Sequence, residues 1–444
     1  MDFVKVKGKE FYYKGESILF SGLGVGSWLN MEHFMLGLPG TDAQIRKTFE
    51  EVLGKEDGEK FFESFILNFL TDEDFRFLKE MGVNLLRVPF SYRLFIDDLN
   101  PHTYKEEGFR YMDRLLALCT KYEIFLMPDL HTTPGGQNPD WHSDNMTGIP
   151  QFWHFRIFQE QIVKLWKAIA ARYKEETIRL GCGRLNEPSS MLKNRRRLIA
   201  VLEVVTTAVR EVDPNHIIFI EGDFFSMDFT DIRLPRDEQT ALTFHFYPTV
   251  WDENLTNKDY DAAERVRKMD EQLSGFSALR DTFGRPALCG EAGVDIKKDD
   301  LSFTMQLLDE TLSLFQKHSL SWTLWSYKDA QWMGLAYPGN DTGWMKLVSE
   351  IRKKWSHYGQ MQIADEFMDE IGKRYTDDFS KELKYELQFQ LRGVLYRMEE
   401  EYILKPVLEK YSREEIMAMP ESFRFENCDY YEEYRKLLKQ YSWK

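Results

Sequence analysis

The sequence predicts an α/β fold, a (β/α)8 barrel with an N-terminal hairpin and a C-terminal helical extension, and three observations predict it. Apolar runs of strand length recur eight times between residues 18 and 330, with amphipathic helical patterns between them. Strands that alternate with helices pair in parallel and bury both faces, and here they imply a closed barrel rather than an open sheet. The 444 residues suffice for one such domain, of roughly 250 residues, plus an appendage. Polar side chains also fall at the C-terminal ends of the apolar runs, where a barrel of this kind gathers its reactive groups. Gly22, Gly24 and Gly26 alternate after the first run but do not form the Gly-rich fingerprint of a dinucleotide fold.

Residues 3–20 alternate apolar and polar side chains around Gly8 and Gly15, the pattern of a hairpin plugging the barrel bottom or packing beside it. The first inner strand is expected within residues 18–26. Residues 31–69 are too many for a simple connection and predict a helical insertion over the top face. Thr71 is a good N-cap for the next helix. Strand two is expected at 83–89, a helix at 109–122 and strand three at 124–131. A helix follows at 152–173, with Phe155, Phe158, Ile162, Leu165, Trp166 and Ile169 on one face. Strand four runs into Glu187, where Pro188 has no N–H for a ladder and turns its neighbour away from the right-handed helical region. A helix at 191–212, strand five at 216–221 and strand six at 241–247 come next. A helix at 259–282, strand seven at 286–291, a helix at 299–318 and strand eight at 321–325 complete the barrel. Gly181, Gly183 and Arg184 break the apolar pattern of strand four. Glycines there mark a bulge or weaken pairing, and a helix-facing Arg184 needs a partner.

Beyond about Ser356 the alternation stops. Residues 361–444 carry much Glu, Lys, Leu and Tyr with hardly any Gly or Pro, which predicts several helices. The expected division is a barrel domain over 1–355 and a helical extension over 356–444 packed on it. Dimerisation through this tail, giving a homo-oligomer, is the alternative. Glu399, Glu400 and Glu401 read as a solvated face.

A net charge of −15 argues against a nucleic-acid partner, whose phosphates it would repel. Cys119, Cys182, Cys289 and Cys428 show neither metal-ligand spacing nor a disulfide framework, so free thiols are expected. No run approaches membrane-spanning length, and the first residues lack the profile of a signal peptide. A cytoplasmic protein is the simplest expectation, although a secreted chain with its signal removed would look the same.

Arg87, His131, Glu187, His245, Tyr247, Glu291 and Trp325 each end a predicted inner strand and would converge on one pocket. Any one of them alone has an ordinary structural explanation; seven on the same schedule do not. Two carboxylates in one pocket, Glu187 and Glu291, suit cleavage of a glycosidic bond, where one group protonates the leaving oxygen and the other attacks the anomeric carbon.

This ordered set resembles glycoside hydrolase family 5, the cellulase and exo-β-1,3-glucanase-like retaining β-glycosidases. The residues that carry the likeness are Arg87 in Leu86-Arg87-Val88-Pro89, His131 in Asp129-Leu130-His131, and Asn186 with Glu187 before Pro188. His245 and Tyr247 around Phe246, Glu291 after Gly290, and Trp325 complete the set. The resemblance implies a general acid/base at Glu187 and a nucleophile at Glu291, with no metal or organic cofactor. It also implies that Arg87 and Tyr247 keep Glu291 anionic while Glu187 stays protonated until the leaving group departs. Asn186 would hold the sugar 2-hydroxyl, His131 and His245 would position sugar and carboxylates, and Trp325 would floor the reacting sugar.

The loop after strand three is similar to that of the exo-β-1,3-glucanases of the family, and it offers Gln137, Asn138 and Trp141 as substrate contacts. Trp28 and Glu32 are similar to the same branch, and Trp153, Trp251 and Trp332 are further candidate sugar platforms. A β-linked glucoside or short β-glucan oligosaccharide, cleaved from a chain end, is the expected substrate. An endo-β-1,4-glucanase of the same family is the alternative. Two other classes compete: a metal-dependent barrel hydrolase using Asp129, His131, His142 and Asp144, and a non-catalytic sugar-binding barrel.

Overall fold

A computed structural model describes residues 2–189, 196–248, 252–375 and 380–443. Eight parallel strands close a barrel: β1 Ser21–Gly24, β2 Leu85–Ser91, β3 Phe125–Thr132, β4 Gly181–Gly183, β5 Ile217–Glu221, β6 Thr240–Phe246, β7 Ala287–Ala292 and β8 Ser321–Trp325. They neighbour one another in chain order, and β8 returns to β1. Each strand is buried along its whole length, as the apolar runs require when side chains fill the interior and helices cover the outside.

The outer helices include Asp72–Glu80, Glu106–Tyr122, Arg156–Arg172, Arg196–Arg210, Ala262–Phe283, Leu301–Lys317 and Gly343–Arg352. Thr71 caps the first of them as expected, its N–H and hydroxyl both donating to Asp74 Oδ2 at 2.7 and 2.6 Å. The start of the helix expected from residue 191 lies outside the described residues. Between β5 and β6 the described chain forms only a short helical turn, Asp223–Ser226, so the alternation of strand and helix is incomplete there.

Two glycines explain the unusual fourth strand. A Cβ on Gly181 would lie 2.2 Å from the Ile217 carbonyl, and one on Gly183 would lie 2.4 Å from Asp129 Oδ1. Both positions sit where neighbouring strands approach too closely for any side chain. Arg184 is buried and finds its partners on the covering helix, donating to the Leu202 carbonyl and the Thr206 hydroxyl. Burial without a facing carboxylate brings its pKa down to about 9.

The N-terminal hairpin is in fact a three-stranded antiparallel sheet, Lys5–Lys7, Glu10–Tyr13 and Glu16–Ile18, because the chain pairs again after the turn at Gly15. It plugs the barrel bottom. Phe11 meets Phe20 edge-on at 5.3 Å and shares a cluster with Leu85, Phe125, Leu180, Ile217 and Leu288. Burying such a ring contributes roughly 1.5–3 kcal/mol.

The insertion at 31–69 is helical, with His33–Leu36, Asp42–Leu53 and Lys55–Phe69. Its first part meets the barrel mouth, where Met35 clusters with Trp325 and the Ala43 N–H donates to Asp144, while the longer helices also reach the outer layer. Phe61 and Phe65 pack on Trp344 of the outer helix layer, because their apolar stripe needs a covering surface that the polar barrel mouth does not offer.

The tail starts with an antiparallel helix pair, His357–Tyr375 and Lys381–Glu399, which packs against the loops at the barrel mouth. It then descends the β8–β1 side and ends at the barrel bottom, where the Trp443 N–H donates to Ser21 Oγ at 3.0 Å. On the way Cys428–Tyr430 pairs with Ala336–Pro338. Glu399 and Glu400 are not a solvated face. Both are buried: Glu399 accepts from Gln360 and Glu400 from Lys47, while burial raises the Glu399 pKa to about 8. The four cysteines are free thiols, and among the described residues no helix is long and apolar enough to cross a membrane.

Lys328 ties barrel, outer helix and tail together. Wholly buried, it donates to Asp74 Oδ1 at 2.6 Å and to the carbonyls of Phe69 and Phe423, each at 2.8 Å. Removing one partner of a buried ion pair strands the other charge, so Asp74→Ala is expected to cost about 3–5 kcal/mol. Equilibrium urea unfolding monitored by tryptophan fluorescence checks this; an unchanged midpoint would count against it.

Candidate active site

The top of the barrel brings together side chains carried by seven of the eight strands, β2 to β8, and two irregularities of pairing aim them. Between β2 and β3 the register runs from Phe90↔Leu130 to Ser91↔Thr132, which leaves His131 unpaired and bulged. Between β6 and β7 it steps from Phe244↔Cys289 to His245↔Glu291, so Gly290 is the extra residue and His245 comes to lie beside Glu291. A Cβ at Gly290 would press to 2.5 Å from Thr243 Oγ1. Gly24 and Gly26 leave the space that Trp325 fills, since a Cβ at either would come within 2.6 and 2.5 Å of its indole.

Arg87 lies at the centre with no exposed surface. Its Nη1 donates to Glu291 Oε1 at 2.6 Å, and its Nη2 donates to Asn186 Oδ1 at 2.6 Å and lies 3.0 Å from Asp129 Oδ2. Burial works against its charge, but Asp129, Glu291 and Glu221 more than compensate and hold it firmly protonated. The Tyr247 hydroxyl donates to the second oxygen of Glu291 at 2.9 Å. His245 Nδ1 lies 2.6 Å from Glu187 Oε1 and 3.6 Å from Glu291 Oε2. One oxygen of each glutamate and this nitrogen all fall within 4.8 Å of one another. Carboxyl groups this close suit direct attack by one of them, because the alternative geometry needs a wider gap to admit a water.

Comparison with known proteins decides the family. The profile described as Cellulase (glycosyl hydrolase family 5) matches residues 55–331, more than half of the chain. The chain belongs to glycoside hydrolase family 5. It is therefore a retaining glycoside hydrolase acting on β-linked glycosides. It is 33% identical to a beta-xylosidase of Phanerodontia chrysosporium over 470 aligned positions, covering 99% of this chain and 98% of that one. Endoglucanase C of Acetivibrio thermocellus is 27% identical over 301 positions, 59% of this chain and 84% of that one. Among solved structures, Thermotoga maritima Cel5A with mannotriose superposes with a TM-score of 0.54 at 17% identity, over 72% of this chain and 92% of that one, a likeness of fold.

In this family 5 hydrolase the expected signature residues Arg87, His131, Asn186, Glu187, His245, Tyr247, Glu291 and Trp325 lie in one constellation, and the four other expected contacts are each engaged within the protein. Trp28 is buried and donates to the Ile66 carbonyl at 2.9 Å, anchoring the inserted helices. Gln137 is fully buried and braces the loop through the carbonyls of His131 (2.7 Å) and Asn186 (2.9 Å). Asn138, also buried, donates to the Glu187 carbonyl at 3.0 Å. Polar loop side chains satisfy the loop's own backbone first, since an unpaired buried amide is costly. Trp141 packs edge-on against His33 at 4.5 Å and His357 at 5.0 Å, and its indole N–H is enclosed. Trp153 likewise anchors the loop, on the Gln137 carbonyl. Trp332 is half-buried on Asp295 beside Phe34, and Trp251 lies outside the described residues.

Sequence reasoning missed Glu221, although it ends β5 on the same schedule as the others. Its Oε2 accepts the Glu187 N–H at 2.7 Å, and burial pushes its pKa up to about 7. Glu32 does reach the site, 3.4 Å from His131 Nε2.

The surroundings of Glu187 in the unliganded site work against the expected protonated form. Burial favours its neutral form, but His142 Nε2 at 2.8 Å and His245 hold its pKa far below the usual carboxylate range. Both histidines are correspondingly raised despite burial. The residues of the metal-site alternative do not converge: Asp144 is taken by Arg93 and the Ala43 N–H, and His142 sits on Glu187. Glu187, His245 and Glu291 could in principle ring a cation, but the Arg87 guanidinium already occupies Glu291, which fits a cation poorly.

His131 is sandwiched between carboxylates, Nδ1 at 3.1 Å from Asp129 and Nε2 facing Glu32, and stacks on Trp325 at 5.7 Å and 8°. Burial opposes its charge, yet the bonds to Asp129 and Glu32 raise its pKa to about 10. Folding therefore takes up a proton here. The stabilisation is complete below the unfolded value of about 6.5 and is lost as pH rises toward 10. Urea unfolding across that window is expected to show a steeper loss in the native protein than in His131→Gln; equal slopes would argue against it.

Proposed function

We propose that this hydrolase is exo-acting, removing terminal β-glucosyl or β-xylosyl residues from short oligosaccharides or glycosides, with Glu187 as general acid/base and Glu291 as nucleophile. Arg87 and Tyr247 orient Glu291 from both oxygens, and Asn186, fixed by Arg87, is placed to bond the sugar 2-hydroxyl, a contact that strengthens toward the oxocarbenium-like transition state. Trp325 clusters with Met35 and Met333 and is the floor for the reacting ring. In the first half-reaction Glu291 attacks the anomeric carbon while the leaving oxygen takes a proton from Glu187. In the second, water attacks the glycosyl-enzyme and returns a proton to Glu187.

The observation that carries exo action is the tail. His357 packs against Phe34, Trp141 and Trp332, Arg392 approaches Asp140, and Phe389 backs Phe225, so one side of the mouth is walled by residues that follow the barrel. A wall there supports a pocket that admits a chain end rather than a groove open at both ends. The relative matched along its whole length, tail included, is named a beta-xylosidase, whereas the endoglucanase match leaves two-fifths of this chain unmatched. The shared equatorial hydroxyls of glucose and xylose fit the same floor and the same 2-hydroxyl contact.

Two measurements test this reading. β-1,3- and β-1,4-linked oligosaccharides should release monosaccharide alone at early times, with the anomeric configuration retained; a spread of oligosaccharide products would overturn exo action. Glu291→Gln should abolish turnover. Glu187→Ala should lose about 10²–10⁴-fold on poor leaving groups yet retain attack on dinitrophenyl glycosides.

A further inference from the structure

We infer that His142 and Glu221 are positioning residues for the acid/base step, His142 aiming the Glu187 carboxyl through Oε2 and Glu221 fixing its backbone. The inference rests on Glu187 being the acid/base. Neither residue belongs to the strand-end set by which the family was recognised.

Glu187 has φ 46°, in the left-handed region that a glutamate seldom occupies and that its surroundings must hold in place. Something must pin it, and Glu221 does so through the bond from the Glu187 N–H. Glu221 is fixed in turn by the Ser226 hydroxyl, which donates to the same oxygen. Ser226 reaches it only because Phe224, Phe225 and Ser226 are all left-handed, at φ 51°, 56° and 62°. Three such residues in succession form a strained turn that the surroundings must hold in place. The same turn lays Phe225 against the His142 ring at 6.1 Å, with Phe389 of the tail behind it at 6.5 Å. The turn after β5 thus supports Glu187 twice, directly through Glu221 and through the wall behind His142.

His142 faces charge from every side. Glu187 from β4 and Asp140 from its own loop favour the imidazolium. His131 from β3 opposes it, His33 from the segment after β1 is held toward its neutral form beside it, Arg392 from the tail faces Asp140, and His245 shares Glu187 from β6. The carboxylates prevail, so the Glu187–His142 couple, 2.8 Å apart, favours the imidazolium at His142 and the anion at Glu187. When a glycosidic oxygen arrives, one proton passes from the couple to that oxygen as its bond to the anomeric carbon breaks. The attacking water restores one proton to the couple in the second half-reaction.

The test is a series of aryl β-glycosides of graded leaving-group pKa, with kcat/KM measured against pH for the full chain. His142→Phe and Glu221→Leu should each lose about 10²-fold or more on the poorest leaving groups, yet less than about tenfold on the dinitrophenyl glycoside. Glu221→Gln, which keeps an accepting oxygen, should recover most of the Leu loss. His142→Gln keeps a donor but cannot titrate, so it should recover rate while the basic limb falls by about one pH unit or more. Uniform loss across the series in a folded protein, or an unmoved basic limb in His142→Gln, would overturn the inference. Glu187→Ala is the control: if its own loss were uniform, the acid/base assignment would fail instead.

Discussion

A single buried cation organises the mouth of this barrel. Arg87 comes from β2 and has no exposed surface, and it touches groups from β3, β4 and β7 within 3.0 Å, with Glu221 of β5 at 3.8 Å. Burying a guanidinium costs several kcal/mol unless its charge is met, and Asp129 and Glu291 meet it here. The obligation is mutual. Asp129, Glu187, Glu221 and Glu291 share one pocket, and without Arg87 and the histidines around it their repulsion would drive protons onto the carboxylates or open the mouth. Arg87 therefore sets the chemistry as well as the packing, since the carboxylate that it orients through one oxygen is left free to react along a defined line.

The strand ends are placed by irregularities rather than by ideal barrel geometry. His131 and Glu291 both sit beside register slips, and a slip turns a side chain that would otherwise follow strict alternation. Glycines make this possible. Gly290 permits the step into Glu291, and Gly24 and Gly26 leave room for the indole of Trp325. Residues that look like weaknesses in an apolar strand are where the barrel gives up pairing or side-chain volume to aim a functional group.

The same physics explains what could be read from sequence. The barrel and the signature residues were legible because burial on both faces enforces apolar runs, and a polar residue closing such a run has few structural uses. Glu221 met that criterion but went unnoticed because its role is to bond a backbone N–H, which no motif records. The internal partners of Trp28, Gln137, Asn138 and Trp141 were not legible, because a segment rich in amides and rings looks alike whether it faces a ligand or braces itself. The charge state of Glu187 was out of reach for a different reason. It depends on His142, which is 45 positions earlier in the chain and comes beside it only through the folded loop. The helical character of the insertion at 31–69 was legible from its periodicity, but the packing of Phe61 and Phe65 on Trp344 was not, since periodicity reveals an apolar stripe and not the surface that will cover it.

The tail completes this logic. Helices added after a closed barrel could have packed anywhere on its outer layer, yet this pair meets the loops that hold Glu187 and His142. Arg392 faces Asp140, the carboxylate next to His142, and Phe389 backs the turn that carries Ser226. Gly148 and Gly393 allow the loop after β3 and the second tail helix to touch backbone to backbone, since a Cβ on either would lie within 2.3 and 2.6 Å of a carbonyl of the other segment. Contact that close leaves no room for sliding. The strained turn after β5, left-handed at three residues, then has a rigid body pressed against it rather than solvent. The tail that lines one side of the mouth thus also stands behind the turn that pins Glu187 in its left-handed conformation, and the two roles are difficult to separate by physical means.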